Sequence, residues 1–376
     1  MSTKSQSLSI SVEREVLREA IAAVMPAVSR KATTPITSHL LLEADGVSLR
    51  ITGTSLDETI ERVLPCNTEQ SGSFTINAQL LLGLINRLDG NDISITAEDG
   101  IVHLTCGKAK ARFTSFEPEN FPVTPKIETF AFAIAASELK RIISKAAFCL
   151  NKEQILLGNM AGLRLEIHEG LLRCFATDRV RLFCYNNSAN TTTDVAVTIP
   201  AKTALHLQKV LDEDVNVDVC IQGDTIAFSM DGLKVISSTV AGGYPDVNRV
   251  IPKNADITAK INRADLYDCI QRAESIVRGS TFPIRLLFED GDLTIRTINP
   301  NVGEFEESMP IVYENEPLQI GVNPAFLRDV LNAIDDDIDD VVFSMKDANS
   351  PFIVQPLRDG EIIENEAYVI MPMRIQ

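Results

Sequence analysis

Reactive side chains at diagnostic spacings are absent from this sequence. It contains no phosphate-cradling GxxxxGK[ST], no dinucleotide GxGxxG, no HExxH zinc motif and no GxSxG nucleophile elbow. Its four histidines, His39, His103, His168 and His206, are not spaced as a metal pair. The acidic run Asp335-Asp336-Asp337 with Asp339-Asp340 lacks the alternating ligands and glycine of a calcium loop and reads as a solvated loop. An enzyme would need a convergent nucleophile or carboxylate site. Candidates such as Asp178 with Arg181 read better as turn residues, and turnover on a nucleic acid, lost on mutating Asp178, would be the mark of that alternative. The expectation is a chain with no catalytic residue, no metal and no cofactor.

The chemistry left is charge. Lys and Arg number 35 against 52 Asp and Glu, a net charge of −17, which taken alone argues against a phosphate-rich partner. The apolar-periodic segments 12–31, 77–89, 136–152, 200–212, 262–279 and 323–335 nevertheless carry 15 basic residues against 11 acidic ones. The acidic excess therefore lies elsewhere. Two readings fit: solvated helix faces, or helices that face a polyanion while acidic strands face solvent.

Those segments belong to an internal repeat. Six times an alternating run leads into a helix-periodic stretch: SISVEREVLREAIAAV, FTINAQLLLGLINRL, FAIAASELKRIISKA, VTIPAKTALHLQKVL, AKINRADLYDCIQRA and QIGVNPAFLRDVLNAI. The alternating runs end at Val12, Ile76, Ile134, Ile199, Ile261 and Val322, at intervals of 64, 58, 65, 62 and 61 residues. Apolar residues five and nine positions after each anchor, such as Leu17 and Ile21, predict one buried stripe per helix. The fourth repeat departs, because Gln208 interrupts the stripe and Leu207 and Leu211 must carry it. Between helices, period-two runs flank Asp45-Gly46, Asp99-Gly100, Asp231-Gly232 and Asp290-Gly291, which signals antiparallel hairpins. Each unit thus reads as strand, helix, then several strands, an α+β class and not a parallel βαβ one.

One helix and a few strands cannot cover both their faces, so pairs of units are expected to form three domains, 1–127, 128–255 and 256–376. With 376 residues, 45% apolar and 23% charged, the chain has an ordinary globular composition. Its longest apolar runs fall far short of the roughly 20 residues of a bilayer-spanning helix, and MSTKSQSLSISVERE has no leader pattern, so a cytoplasmic location is expected. Seven scattered cysteines without a CxxC pair suggest reduced, mostly buried thiols. The closing run Tyr368 to Gln376 is apolar for a chain end. It reads either as a final core strand or as adaptable methionine-rich surface for peptides.

The residues Val12-Glu13-Arg14-Glu15, Ala176-Thr177-Asp178 with Arg181-Leu182, Tyr244-Pro245-Asp246 with Arg249-Val250-Ile251-Pro252, Val330-Leu331-Asn332-Ala333 and Val369-Ile370-Met371-Pro372-Met373-Arg374 resemble the bacterial DNA polymerase III β subunit, the replicative sliding clamp. The resemblance covers nearly the whole chain. It implies a DNA clamp fold of three similar domains and a head-to-tail homodimer forming a ring, helices inside and sheets outside. A non-enzymatic processivity factor, nucleoid-associated in the cytoplasm, would encircle double-stranded DNA without reading its sequence. Its other partners would be the replicative polymerase α subunit, the clamp loader, repair polymerases, ligase and mismatch-repair proteins, with no membrane partner. A paralogous or mobile-element clamp with altered partner preference is the alternative.

Carried over by position, the family's partner-peptide groove would comprise Met160, Thr177, Arg179, Arg181, Leu182, Pro245, Arg249, Val250, Asn323, Phe326, Pro351, Val369, Ile370, Met371, Pro372, Met373 and Arg374. The resemblance further implies DNA-facing Arg30, Lys31, Arg87, Lys145, Lys202 and Lys209, and an interface of Lys110, Arg112 and Phe113 with Ile276, Glu304, Glu306 and Glu307. Where the family usually has Gly-His after Thr-Asp, this chain has Arg179-Val180, and Pro351 replaces a small polar residue.

Overall fold

The computed structural model describes residues 7–29, 34–150, 158–212, 214–277 and 282–375. The first two repeats run β1 (Leu8–Glu13), α1 (Arg14–Val24), β2 (His39–Asp45), β3 (Ser48–Thr54), β4 (Glu58–Pro65), β5 (Asn67–Gln70), β6 (Gly72–Asn77), α2 (Ala78–Ile85), β7 (Asp92–Glu98), β8 (Ile101–Cys106) and β9 (Ala109–Thr114). The middle two comprise β10 (Phe130–Ala135), α3 (Ala136–Ala146), β11 (Gly162–His168), β12 (Leu171–Thr177), β13 (Arg181–Ser188), β14 (Val195–Pro200), α4 (Ala201–Val210), β15 (Asn216–Gln222), β16 (Thr225–Met230) and β17 (Leu233–Ser238). The last two are β18 (Ile257–Asn262), α5 (Arg263–Val277), β19 (Ile284–Glu289), β20 (Asp292–Asn299), β21 (Gly303–Pro310), β22 (Leu318–Val322), α6 (Pro324–Ala333), β23 (Asp340–Met345), β24 (Phe352–Arg358), β25 (Glu361–Ile362) and β26 (Glu366–Ile370).

Each expected helix forms where its apolar stripe lies. Leu17, Ile21, Leu81, Ile85, Leu139, Ile143, Leu266, Ile270, Leu327 and Leu331 are all fully buried. In α4 the stripe shifts to Ala204, Leu207 and Leu211, while Gln208 donates a 2.8 Å hydrogen bond to Ser144 Oγ. Asn77 and Asn323 cap α2 and α6 by accepting backbone N–H groups of Leu80 and Ala325. The hairpins β7–β8 and β19–β20 turn through Asp99-Gly100 and Asp290-Gly291, with positive φ at both residues of each pair, as the right-handed twist of the strands demands. Strand β7 shows the period-two rule plainly, its residues alternating between exposed and buried along the whole length.

The strands assemble into four antiparallel sheets, ordered β5-β1-β7-β8-β9, β10-β15-β16-β17-β4-β3-β2-β6, β14-β11-β12-β13-β26-β24-β23-β18 with β25 on β24, and β21-β20-β19-β22. By internal contacts the chain divides into two compact units, the residues to Ser137 with 209–239, and 138–208 with 240–376. This partition does not follow the three expected segments. The reason is hydrogen bonding: β17 pairs with β4 inside one unit and β13 with β26 inside the other, so both sheets run through an expected boundary. The cores of both units sit beneath these sheets, and all seven cysteines are free thiols, six of them buried. Among the described residues, no helix is long and apolar enough to cross a membrane.

Candidate partner-binding groove and interface edges

The Thr177–Arg181 turn between β12 and β13 is fully tied. Thr177 Oγ1 donates to the Arg181 carbonyl at 2.6 Å and accepts the Arg179 N–H at 3.1 Å. Asp178 Oδ1 accepts the N–H groups of Val180 and Arg181 at 3.1 and 2.7 Å. The turn leaves Arg179 exposed with φ at 76°, the left-handed region that favours glycine.

Arg181 points inward. Its guanidinium, 8% exposed, holds Asp178 Oδ2 at 2.7 Å and Asp329 Oδ2 at 2.8 Å, donates to the Phe148 carbonyl, and lies 4.9 and 4.5 Å from the ring centroids of Phe148 and Phe326. Burial opposes its charge, yet the two carboxylates outweigh that effect and hold its pKa above the ordinary value. This side chain fastens the turn to α6 rather than offering a guanidinium to a ligand. The sequence contained no signal for Phe148 or Asp329, because neither lies in a recognised motif.

The outer face of β12, β13, β26 and β24 carries an apolar cluster of Phe175, Leu182, Cys184, Val247 and Val369, against which Tyr244, Ile251, Ile353 and Ala367 pack. The 244–251 segment covers this face, tied down where Arg173 donates to Asn248 Oδ1 at 3.1 Å. Val250 at its end is 43% exposed and Arg249 projects, 85% exposed, 3.4 Å from Asp246. Pro245 is exposed and Met160 half-buried, while the neighbouring Asn159 side chain donates to the Gly243 carbonyl.

The closing run begins as the final core strand, the first of the two readings the sequence allowed. Residues 366–370 form a central strand, with Tyr368 and Ile370 fully buried. Beyond it the chain leaves the sheet edge-on: Met371 N–H bonds the Val180 carbonyl at 2.9 Å and Met373 N–H the Gly321 carbonyl at 2.8 Å. Met371 is 36% exposed, Pro372 and Met373 are half-buried and Arg374 is exposed.

The second unit thus brings together Thr177, Arg179, Leu182, Val250, Val369, Met371 and Met373. Pro351 sits at the start of β24, beside the Phe352–Ile370 pair. Asn323 acts as the α6 cap, and Phe326 is reached through Arg181. Besides Arg181, Ile370 does not fit the expected lining: it alternates to the strand face of Tyr368, whose hydroxyl bonds the Ala333 carbonyl at the end of α6, so its side chain is turned away from the outer face.

The expected DNA-facing residues separate. Arg30 and Lys31 lie outside the described residues. Lys202 and Lys209 are exposed on α4, and Arg87 is exposed just beyond the end of α2, where its guanidinium donates to the Gly83 carbonyl. Lys145 is a correction: it is 2% exposed, with Nζ 2.8 Å from Glu366 Oε1 and 3.0 Å from Asp335 Oδ1, and it cannot reach an external phosphate. Other helical cations are likewise paired, Arg141 with Asp335, Arg272 with Glu307 and Arg328 with Glu274. The acidic run is not simply solvated either, since Asp335, Asp337 and Asp340 meet Lys145, Arg358 and Lys260.

Strand β9 closes one end of the five-stranded sheet and β21 one end of the four-stranded sheet. Lys110 and Arg112 are exposed on β9, with Phe113 half-buried between them and the strand end. Glu304 and Glu306 are exposed on β21, and Glu307, with half-buried Ile276 on α5, lies nearer the core. Arg272 holds Glu307 at 2.6 Å and Arg296 holds Glu306 at 2.8 Å.

Repeated strand–helix–strands units joined by shared antiparallel sheets define the three-domain DNA clamp class. Sequence models of the N-terminal, central and C-terminal domains of the DNA polymerase III beta subunit match residues 8–125, 133–246 and 248–374. The beta sliding clamp of Pseudomonas aeruginosa is 29% identical over 371 residues, covering 97% of this chain and 99% of that one, and that of Chlamydia pneumoniae is 25% identical over 97% and 98%. Solved clamps from Pseudomonas aeruginosa and C. crescentus superpose with TM-scores of 0.91 each at 27% and 26% identity, each pairing covering 98% of this chain and 100% of the other. This chain belongs to the DNA polymerase III beta subunit family, the bacterial sliding clamps.

Proposed function

We propose that this chain is the processivity factor of a DNA polymerase: a head-to-tail homodimer that closes into a ring around double-stranded DNA and tethers polymerase, clamp loader and repair proteins by short peptides. Three domains with boundaries near 127/128 and 255/256 make up each protomer. No residue performs catalysis, and the protein works in the cytoplasm on the nucleoid. Contacts to DNA fall on phosphates, from Arg87, Lys202, Lys209 and the Arg30-Lys31 pair, so the ring slides. A tethered polymerase that releases the primer end stays at high local concentration and rebinds.

The observation that carries this reading is an incompleteness in the sheets. Two sheets have eight and nine strands, while the remaining two have five and four and end on β9 and β21, exposed edges of opposite charge. An exposed, unpaired edge is a template for another chain. Pairing β9 of one protomer with β21 of the next would complete a sheet of the larger size, and a head-to-tail contact of this kind closes into a ring when the rotation per protomer is right. The groove supplies the tether: apolar Leu182, Val250, Val369 and Met371 accept the anchors of a peptide rich in Gln, Leu and Phe, beside polar groups such as Arg249 and Arg374.

The test has two parts. Sedimentation should give a dimer, and a labelled Gln-Leu-Phe peptide should bind saturably to the intact chain but not to one ending at Ile370 that remains folded. A monomer with no peptide binding would sink the proposal.

A further inference from the structure

We propose that a cleft beside α1 in the first unit receives a lysine side chain from a partner protein. The two units are built alike. Val12 and Ile134 end matching strands, so Ala23 and Lys145 take the same place on α1 and α3, as do Glu19 and Arg141. Ile199 and Val322 likewise match Asp212 with Asp335. Between β3 and β4, Thr54 Oγ1 donates to the Glu58 carbonyl and accepts the Leu56 N–H, the bonds that Thr177 makes with Arg181 and Arg179. That register sets Arg62 in the place of Tyr185, and their cross-strand neighbours are Leu233 on β17 and Glu366 on β26.

In the second unit these positions form a closed knot. Lys145 Nζ meets Glu366 at 2.8 Å and Asp335 at 3.0 Å, Arg141 meets Asp335 at 2.9 Å, and two cations balance two carboxylates. In the first unit the lysine is replaced by Ala23, its buried partner by Leu233 and the arginine by Glu19, while Asp212 alone keeps its type. The result is an open cleft of about 550 Å³, lined by Ala20, Ala23, Val210 and Leu233 with Glu19 and Asp212, a size that suits a side chain or a small ligand. The matched positions hold two carboxylates and no cation. Among the described residues Asp212 has no ion-pair partner, its Oδ1 accepting the Asp214 N–H at 3.4 Å. Of the cations that also line the cleft, Arg18 is held by Glu15 at 2.6 Å and reaches Glu19 at 3.6 Å, Arg62 turns to the Asp231 carbonyl at 2.7 Å, and Lys209 is exposed on α4. An incoming lysine lays its apolar stem along Ala23 and Leu233 and sets its ammonium against Asp212, as Lys145 does against Asp335. The cleft belongs to the first unit, so it stands or falls apart from the peptide groove of the second.

The experiment uses the full chain with its alanine methyl groups labelled for NMR and three probes, the capped tripeptides Gly-Lys-Gly, Gly-norleucine-Gly and Gly-Glu-Gly. The lysine peptide should shift the Ala23 methyl signal saturably, and the norleucine peptide, which keeps the stem but lacks the ammonium, should bind about threefold to fivefold more weakly at low salt. High salt should narrow that difference. Asp212→Asn, a change at an exposed position, should bring the lysine peptide down to the norleucine level. Ala23→Lys should fill the cleft from within and abolish binding of the lysine peptide, with an unchanged or raised melting temperature verifying the fold. An Ala23 signal that no peptide moves, equal affinity for lysine and norleucine, or a lysine preference that survives Asp212→Asn would each overturn the proposal. A preference for the glutamate peptide would also overturn it and assign the cleft to Arg62 and Lys209.

Discussion

Lys145 Nζ lies 2.8 Å from Glu366 Oε1, with both side chains almost wholly buried, so a cation on α3 is locked to the strand that leads into the closing run. Tyr368 donates a 2.6 Å hydrogen bond to the same carboxylate oxygen, and Asp335 meets the ammonium from the loop after α6. A helical lysine that by pattern belongs to a polyanion-facing surface is instead part of the interior.

Removing one member of this pair leaves the other charged in a dry site. Lys145→Ala should cost about 3–5 kcal/mol, whereas the double change Lys145→Met with Glu366→Leu should recover most of that loss. Urea midpoints of the two variants against the unmodified chain decide it, and equal destabilisation by both would show that the pair is not an isolated charge problem.

Acid should loosen the same region. Burial raises the Asp335 pKa, but the hydrogen bond and charge of Lys145, with Arg141, outweigh it and hold the carboxyl below its ordinary 3.8. A depressed folded-state pKa favours folding above the ordinary value and loses that contribution as pH falls through the folded one. The stability gap between the unmodified chain and Asp335→Asn should therefore be constant above about pH 5 and shrink below about pH 4, in thermal melts across that range. A gap unchanged at pH 3 would contradict the assignment.

At Arg179 the conformational argument has a stability counterpart. Left-handed backbone costs a non-glycine residue about 1–2 kcal/mol, and glycine's greater freedom in the unfolded chain returns part of it. Arg179→Gly should be neutral to about 1 kcal/mol stabilising, by chemical denaturation. A loss above that size would mean that the arginine side chain supports the turn.

Gly321 fixes the path of the closing run. A Cβ there would stand 2.5 Å from the Met373 carbonyl oxygen and 2.9 Å from Ile375. Gly321→Ala should cost about 1–3 kcal/mol and weaken the Gln-Leu-Phe peptide, because Met373 can no longer seat against β22. Unchanged affinity would remove this run from the groove.

The edges predict a charge-swap result. Lys110→Glu with Arg112→Glu should weaken the dimer at least tenfold, read by sedimentation over a concentration series, since like charges directly opposite across strands are destabilising. Adding Glu304→Lys and Glu306→Lys should restore it in part. A dimer indifferent to both sets would exclude these edges.

Period and chemistry alone determined the helices and hairpins. Stripes such as Leu17 with Ile21 need one buried face, and Asp-Gly pairs favour tight hairpins, with two consecutive positive φ values at Asp99-Gly100 and Asp290-Gly291, both local constraints that any packing must respect. The motif around Thr177 likewise announced a tight turn. Long-range pairing was another matter. That β17 joins β4 and β13 joins β26 makes compact units cut across the expected domain borders, and nothing local in those strands names the partner. Side-chain direction was equally hidden. Lys145 and Arg181 are cations of the kind that usually reach solvent, and only the placement of Glu366, Asp335, Asp329 and two phenylalanine rings around them turned both inward, because a buried charge goes where opposite charge has been assembled from distant parts of the chain.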